Sequence, residues 1–155
     1  MAELYVYDKA KYHYQGDFPA GLPHDQAFVH TGMYLGWIVE RGLYSAFFAE
    51  EGAEMIAAFR ARQMTGANIY DAWDGCLTSA MLNDEGNAFS LAYFDFEKGH
   101  YLADYGQYLA AGYPSVYHVP DTWQNYDRLR PRIDERYAAW KREQAPRRRW
   151  WRWFR

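Results

Sequence analysis

The run from Ala27 to Val39 is apolar around the whole cylinder of a helix, and this constrains the fold more than any other segment. Phe28, Leu35, Ile38 and Val39 fall on one face while Met33, Tyr34 and Trp37 spread apolar surface over the rest, the pattern of a helix enclosed by other elements. Pro23 suits the first turn, Asp25 faces the positive end of the dipole, and Gly42 closes the segment. Gly32 and Gly36 stand four apart on one stripe. Each costs about 1 kcal/mol relative to alanine inside a helix, so close approach of another backbone is expected to repay them.

The helices that would surround it follow from the same periodicity. One is expected over about 46–64, with Glu50, Glu51 and Glu54 early and Arg60 and Arg62 late. Ile69, Tyr70 and Trp73 mark a short helix ended by Gly75, and Asn83 is placed to cap another carrying Asp84 and Glu85 in its first turn. Tyr101, Leu102, Tyr105, Tyr108 and Leu109 form a further stripe. Pro120-Asp121-Thr122-Trp123-Gln124 opens the last helix, with Asp121 as the expected cap, and Pro131 predicts a kink or break near Arg130. No alternation of period two persists, and the one stretch with strand character is Leu91–Glu97. The expectation is an all-α, single-domain bundle of about six helices over residues 1–146, preceded by an aromatic N-terminal arm (Tyr5, Tyr7, Tyr12, Tyr14). At 155 residues one such domain buries roughly 70% of its unfolded surface. With 31 aromatic residues, much of the interior must be aromatic, with hydroxyls seeking partners at its edge.

Charge divides the chain unequally. Arg147, Arg148, Arg149, Trp150, Trp151, Arg152, Trp153, Phe154 and Arg155 form a cationic tail of +5 without an acid, leaving a body of −8. Such a body suits a basic partner and disfavours nucleic acid. Arginines alternating with tryptophans match peptides of the membrane interface, so weak contact with anionic membrane is one role for the tail; a flexible extension or docking onto the acidic body are the others. Cys76 is the only cysteine, the N-terminus lacks an apolar leader, and no run of eighteen apolar residues occurs. A cytoplasmic protein without disulfides is expected.

The segments Tyr7–Trp37, Trp73–Tyr105 and Tyr117–Asp134 resemble an uncharacterised bacterial family of small proteins, a domain of unknown function, over roughly residues 5–141. The resemblance implies a stand-alone domain and supplies no activity, catalytic residue or cofactor. It does not extend to the tail.

Chemistry is most concentrated between Asp71 and Asp104. Asp71, Asp74, Asp84, Glu85, Asp95, Glu97 and Asp104 face Lys98 alone and are interleaved with Trp73, Phe94, Phe96, Tyr101 and Tyr105. These acids form the candidate surface for a basic protein partner, with aromatics as anchors; a merely solvated face is the plainer alternative. Neither HExxH nor paired histidines four apart occur among His13, His24, His30, His100 and His118, and no phosphate-binding glycine pattern is present. No metal or cofactor is expected. Cys76, among acids that oppose thiolate formation, is expected to be inert. The composition therefore points to a non-enzymatic binding domain, such as an immunity-type neutraliser of a basic protein. The competing class is a small hydrolase or transferase using His30, Asp74, Asp84 and Glu85, which requires those groups to converge.

Overall fold

The computed structural model describes the backbone of residues 3–153 and the side chains of residues 3–145. The side chains of the cationic tail fall outside this range. Eight α-helices occur among the described residues: α1 (Ala10–Tyr14), α2 (Val29–Arg41), α3 (Ala46–Glu51), α4 (Ala53–Arg60), α5 (Gly66–Ala72), α6 (Asp84–Tyr93), α7 (Tyr101–Tyr105) and α8 (Trp123–Trp153). A 3-10 turn over His24–Phe28 leads into α2. None of the helices is long and apolar enough to cross a membrane.

Every residue of α2 from Val29 to Val39 is buried, which makes it the axis of the domain. Gly42 ends it in the left-handed conformation at φ 71°, and the Leu43 amide returns to the Ile38 carbonyl. Gly32 and Gly36 do receive another backbone: α5 crosses them at Gly66 and Ala67. An aromatic shell surrounds this axis, in which Trp37, Phe89 and Tyr137 pack ring to ring and Tyr34 lies against Phe94 and Tyr101.

Three sequence expectations are corrected. The helix expected over 46–64 is two helices, because Gly52 packs against Phe48 and Trp73 at a turn between them. Leu91–Glu97, the one stretch with strand character, is the end of α6 and the following turn, in keeping with the helical reading. Strands lie instead at β1 (Val6–Lys9) and β2 (Cys76–Thr78), an antiparallel pair with an irregularity between Val6 and Asp8. Helix α8 is not broken at Pro131. Buried Tyr126, Leu129 and Ile133 anchor it on both sides, and Pro131 itself is exposed, so the carbonyl freed by the missing N–H can face water.

Asp121 does not cap α8. The Asn125 amide donates to the Thr122 hydroxyl, and Asp121 instead accepts from the Thr65 hydroxyl at 2.7 Å. Asn83 caps α6 as expected, accepting from the Gly86 amide at 2.7 Å.

Candidate functional site

Strand β1 carries Asp8 into the interior, where it is only 2% exposed. The pairing register shifts just before it, between Val6 and Asp8, at the kind of irregularity that often re-aims a side chain. One turn of α1 further on, His13 points back at it: Nε2 lies 2.8 and 2.9 Å from Oδ1 and Oδ2 of Asp8. A carboxylate only accepts, so Nε2 carries a proton, and in the neutral ring Nδ1 then accepts from the Tyr117 hydroxyl 2.8 Å away. The Thr31 hydroxyl donates to Asp8 Oδ2 at 2.6 Å and the Tyr70 hydroxyl does so at 3.4 Å.

His30, from the first turn of α2, completes the group. Its Nε2 stands 3.8 Å from Asp8 Oδ2, beyond hydrogen-bonding reach, and its Nδ1 is buried without a partner. Its ring meets that of His13 edge to face at 4.5 Å, and the Tyr101 hydroxyl fixes its backbone by donating to its carbonyl. Burial lowers the His30 imidazole from its ordinary value to about 4; Asp8 opposes the shift and His13 adds to it. The Tyr117 hydroxyl is pushed up by burial and by the charges of Asp8 and Asp17.

Asp8, His13 and His30 thus bring one ligand-capable atom each within 4.8 Å of one another, and no other such group of three occurs among the described residues. The convergence required of His30, Asp74, Asp84 and Glu85 does not take place. Asp74 sits in a left-handed turn at φ 58° between α5 and β2, and Asp84 faces the dipole of α6 from its first turn. Glu85 is held by α8, where it accepts from the Tyr137 hydroxyl and pairs with Lys141 at 3.4 Å.

The acids proposed to meet a partner differ in exposure. Asp71, Asp74, Asp84 and Glu97 are exposed, whereas Asp95 and Glu85 are half-buried. Asp104 does not belong to that surface: it is 2% exposed, bound by Arg132 at 3.3 Å and by Arg136 and the Tyr93 hydroxyl at 3.0 and 2.7 Å. Summing charge along the sequence missed this pairing because both arginines come from α8. Asp71 has a different setting. With Asp25, Asp121, Gln26 and Asn68 it lines a cleft of about 220 Å³ between the turn before α2 and the start of α5. None of these three aspartates forms an ion pair among the described residues, while Arg41, Arg62, Arg130, Arg132 and Arg136 are all occupied elsewhere. Burial pushes the Asp121 carboxyl above its ordinary range, against the Thr65 hydrogen bond. Cys76 is half-buried, its thiol directed at the Asp74 carbonyl at 3.6 Å.

Sequence reasoning missed Asp8, His13, Tyr117, Asp25 and Asp121. Asp8 and His13 stand five apart in the N-terminal arm, among Lys9, Lys11 and four tyrosines, and Tyr117 joins them only on folding.

A family model described as a domain of unknown function (DUF7832) matches residues 6–119. That span contains Asp8, His13, His30 and Tyr117. It ends before Asp121 and short of residue 141, where the sequence resemblance reached. No curated protein and no solved structure matches the chain.

Proposed function

We propose that this chain, which belongs to the family defined by that domain of unknown function, works by binding a basic protein partner and seats a lysine or arginine side chain in the Asp25–Asp71–Asp121 cleft. One observation carries this reading. Three aspartates line one concavity with no Lys or Arg among its described lining residues, whereas Arg41, Arg62, Arg130, Arg132 and Arg136 are paired with other acids. Asp121 is half-buried and Asp25 and Asp71 are exposed beside it; carboxylates of one sign gathered at a concavity favour an incoming cation, and Gln26 and Asn68 line the same walls. A guanidinium fits this setting through its fixed fork of donors. Neutralisation of a basic protein, as by an immunity protein, is the role that follows from such a cleft on a body of net negative charge.

Calorimetric titration with a short arginine-rich peptide, against a glutamate-rich control, tests the reading. Saturable binding is expected that weakens with salt and falls at least tenfold in the Asp25→Asn/Asp71→Asn protein. Binding that is absent, or indifferent to the double substitution, overturns it.

A second reading is favoured by a separate observation. The line Asp8–His13–Tyr117 is a carboxylate, an imidazole and a hydroxyl in hydrogen-bonded sequence. It keeps the hydrolase or transferase class open at residues other than those first expected, with His30 alone retained. Turnover of model esters or phosphate esters that is lost in His13→Gln would establish it; no turnover above the rate of that variant removes it.

A further inference from the structure

We propose that Asp8, His13 and His30 form a binding site for one divalent transition-metal ion, with zinc the metal that the donor set fits best, and that a coordination position is left open for water or an exogenous ligand. This inference goes beyond the cationic-partner reading and uses none of its residues.

The donor set comes first. Two imidazoles and one carboxylate are the three protein ligands typical of zinc sites that keep a fourth position free; nitrogen and oxygen donors without thiolate also admit cobalt, nickel and copper. Metal bonds of about 2.0–2.1 Å place tetrahedral donor atoms about 3.3 Å apart. Here His13 Nε2 lies 2.9 Å and His30 Nε2 3.8 Å from the same oxygen, Oδ2 of Asp8. The two separations bracket the metal-bound value, so opening one and closing the other by about half an ångström admits the ion.

A second observation is the state of His30. Its imidazole is 1% exposed, its Nδ1 has no partner, and its Nε2 is directed at Asp8 from too far to hydrogen-bond. Neither nitrogen of this buried ring has a hydrogen-bond partner among the described residues, and a metal ion on Nε2 would supply one. Asp8 points the same way. It is a buried carboxylate with no lysine or arginine partner among the described residues, and such a group is stabilised by a metal cation.

The surroundings have the form of an outer shell. Thr31 and Tyr70 both donate to Oδ2 of Asp8 and hold the carboxylate in place. Tyr117 lies on the far nitrogen of His13. Once Nε2 gives its lone pair to the metal, the ring proton resides on Nδ1 and is donated to the Tyr117 oxygen, which orients the ring. Two ligands come from the N-terminal arm and one from α2, so the ion also clamps the arm onto the body.

The test uses the full chain stripped of metal by chelation. Cobalt(II) is added while its visible absorption is followed, and zinc affinity is measured by competition. One equivalent is expected to bind, to raise the melting temperature and to slow proteolysis of the arm. His13→Gln and Asp8→Asn should lose more affinity than the roughly 10–100-fold that accompanies loss of an outer-shell partner. If either fails to fold, as judged by near-ultraviolet dichroism, Tyr117→Phe carries the test, because it keeps all three ligands. A fall of about 10–100-fold in that variant supports the site, and unchanged affinity overturns it. Absence of stoichiometric binding by the unaltered chain also overturns it. So does binding lost in Asp25→Asn/Asp71→Asn but retained in folded His13→Gln, which would place the ion in the acidic cleft.

Discussion

Gly32 of α2 and Gly66 of α5 bring two helix backbones into direct contact. A Cβ on Gly66 would stand 2.9 Å from the Gly32 carbonyl carbon and 3.0 Å from the Gly36 nitrogen, and one on Gly32 would stand 2.7 Å from the Ala67 nitrogen. These neighbours are backbone atoms and cannot swing aside. Gly66→Ala is therefore expected to destabilise the domain by about 3 kcal/mol, the upper end of ordinary overpacking costs. Gly36→Ala meets mainly the Phe59 ring at 2.9 Å, which can shift, and alanine's better helix propensity returns close to 1 kcal/mol. Urea denaturation should rank Gly66→Ala well below Gly36→Ala. Equal losses would show that α2 and α5 separate more easily than their contact suggests.

Asp104 gives stability a pH dependence of defined sign. Burial pushes its carboxyl up, but hydrogen bonds from Arg136 and Tyr93 and the charges of Arg136 and Arg132 outweigh this and hold it below the usual range. A carboxyl depressed in the folded state stabilises fully above its unfolded value, about 4, and that contribution disappears as pH falls through the folded value. Asp104→Asn should cost about 2–3 kcal/mol at neutral pH. This is less than the loss of a fully buried pair, because the arginines are 25% and 31% exposed. The difference from the unaltered protein should narrow on acidification below about pH 4 in urea melts. A gap that is constant with pH would contradict this assignment.

What could be read before folding, and what could not, divides along the range of the interaction. The buried character of α2, its stop at Gly42, the Asn83 cap and the close approach at Gly32 and Gly36 are each encoded within a few residues. The strands were not legible. Each has three or four residues, and pairing joins Val6 to Thr78 across nearly half of the chain. The site follows the same rule: Asp8, His13, His30 and Tyr117 lie on four segments, and none is distinguished by local spacing. Asp121 shows a local signal overridden at long range. Its position suits a cap, but Thr65, 56 residues away, takes the carboxylate and Thr122 caps in its place.

Thr65 performs two tasks whose losses should separate with pH. Its hydroxyl accepts from the Asn68 amide at the start of α5 and donates to Asp121. Thr65→Ala removes a cap worth about 1 kcal/mol and leaves a partly buried carboxylate short of a donor, about 1 kcal/mol more. Burial already holds the Asp121 carboxyl above its ordinary value, so ionised Asp121 opposes folding above its folded pKa and ceases to do so as pH falls through it. The second part of the penalty should fade on acidification while the capping part persists. Stability curves of the two proteins at neutral and acidic pH check this; a penalty that grows in acid would refute it.

Tyr101 and Tyr105 occupy successive turns of α7 at zero exposure, yet removal of their hydroxyls should act in opposite directions. The Tyr101 hydroxyl donates to the His30 carbonyl and so fixes the start of α2. Tyr101→Phe deletes that bond and should cost about 1 kcal/mol, since the carbonyl retains its helical acceptor role. The Tyr105 hydroxyl is buried without a partner. Tyr105→Phe removes an unsatisfied polar atom at nearly constant volume and should stabilise by about 1 kcal/mol. Guanidinium melts of the two variants provide the comparison, with unchanged slopes to confirm a common native state. Destabilisation by Tyr105→Phe would refute the assignment of this hydroxyl as unsatisfied.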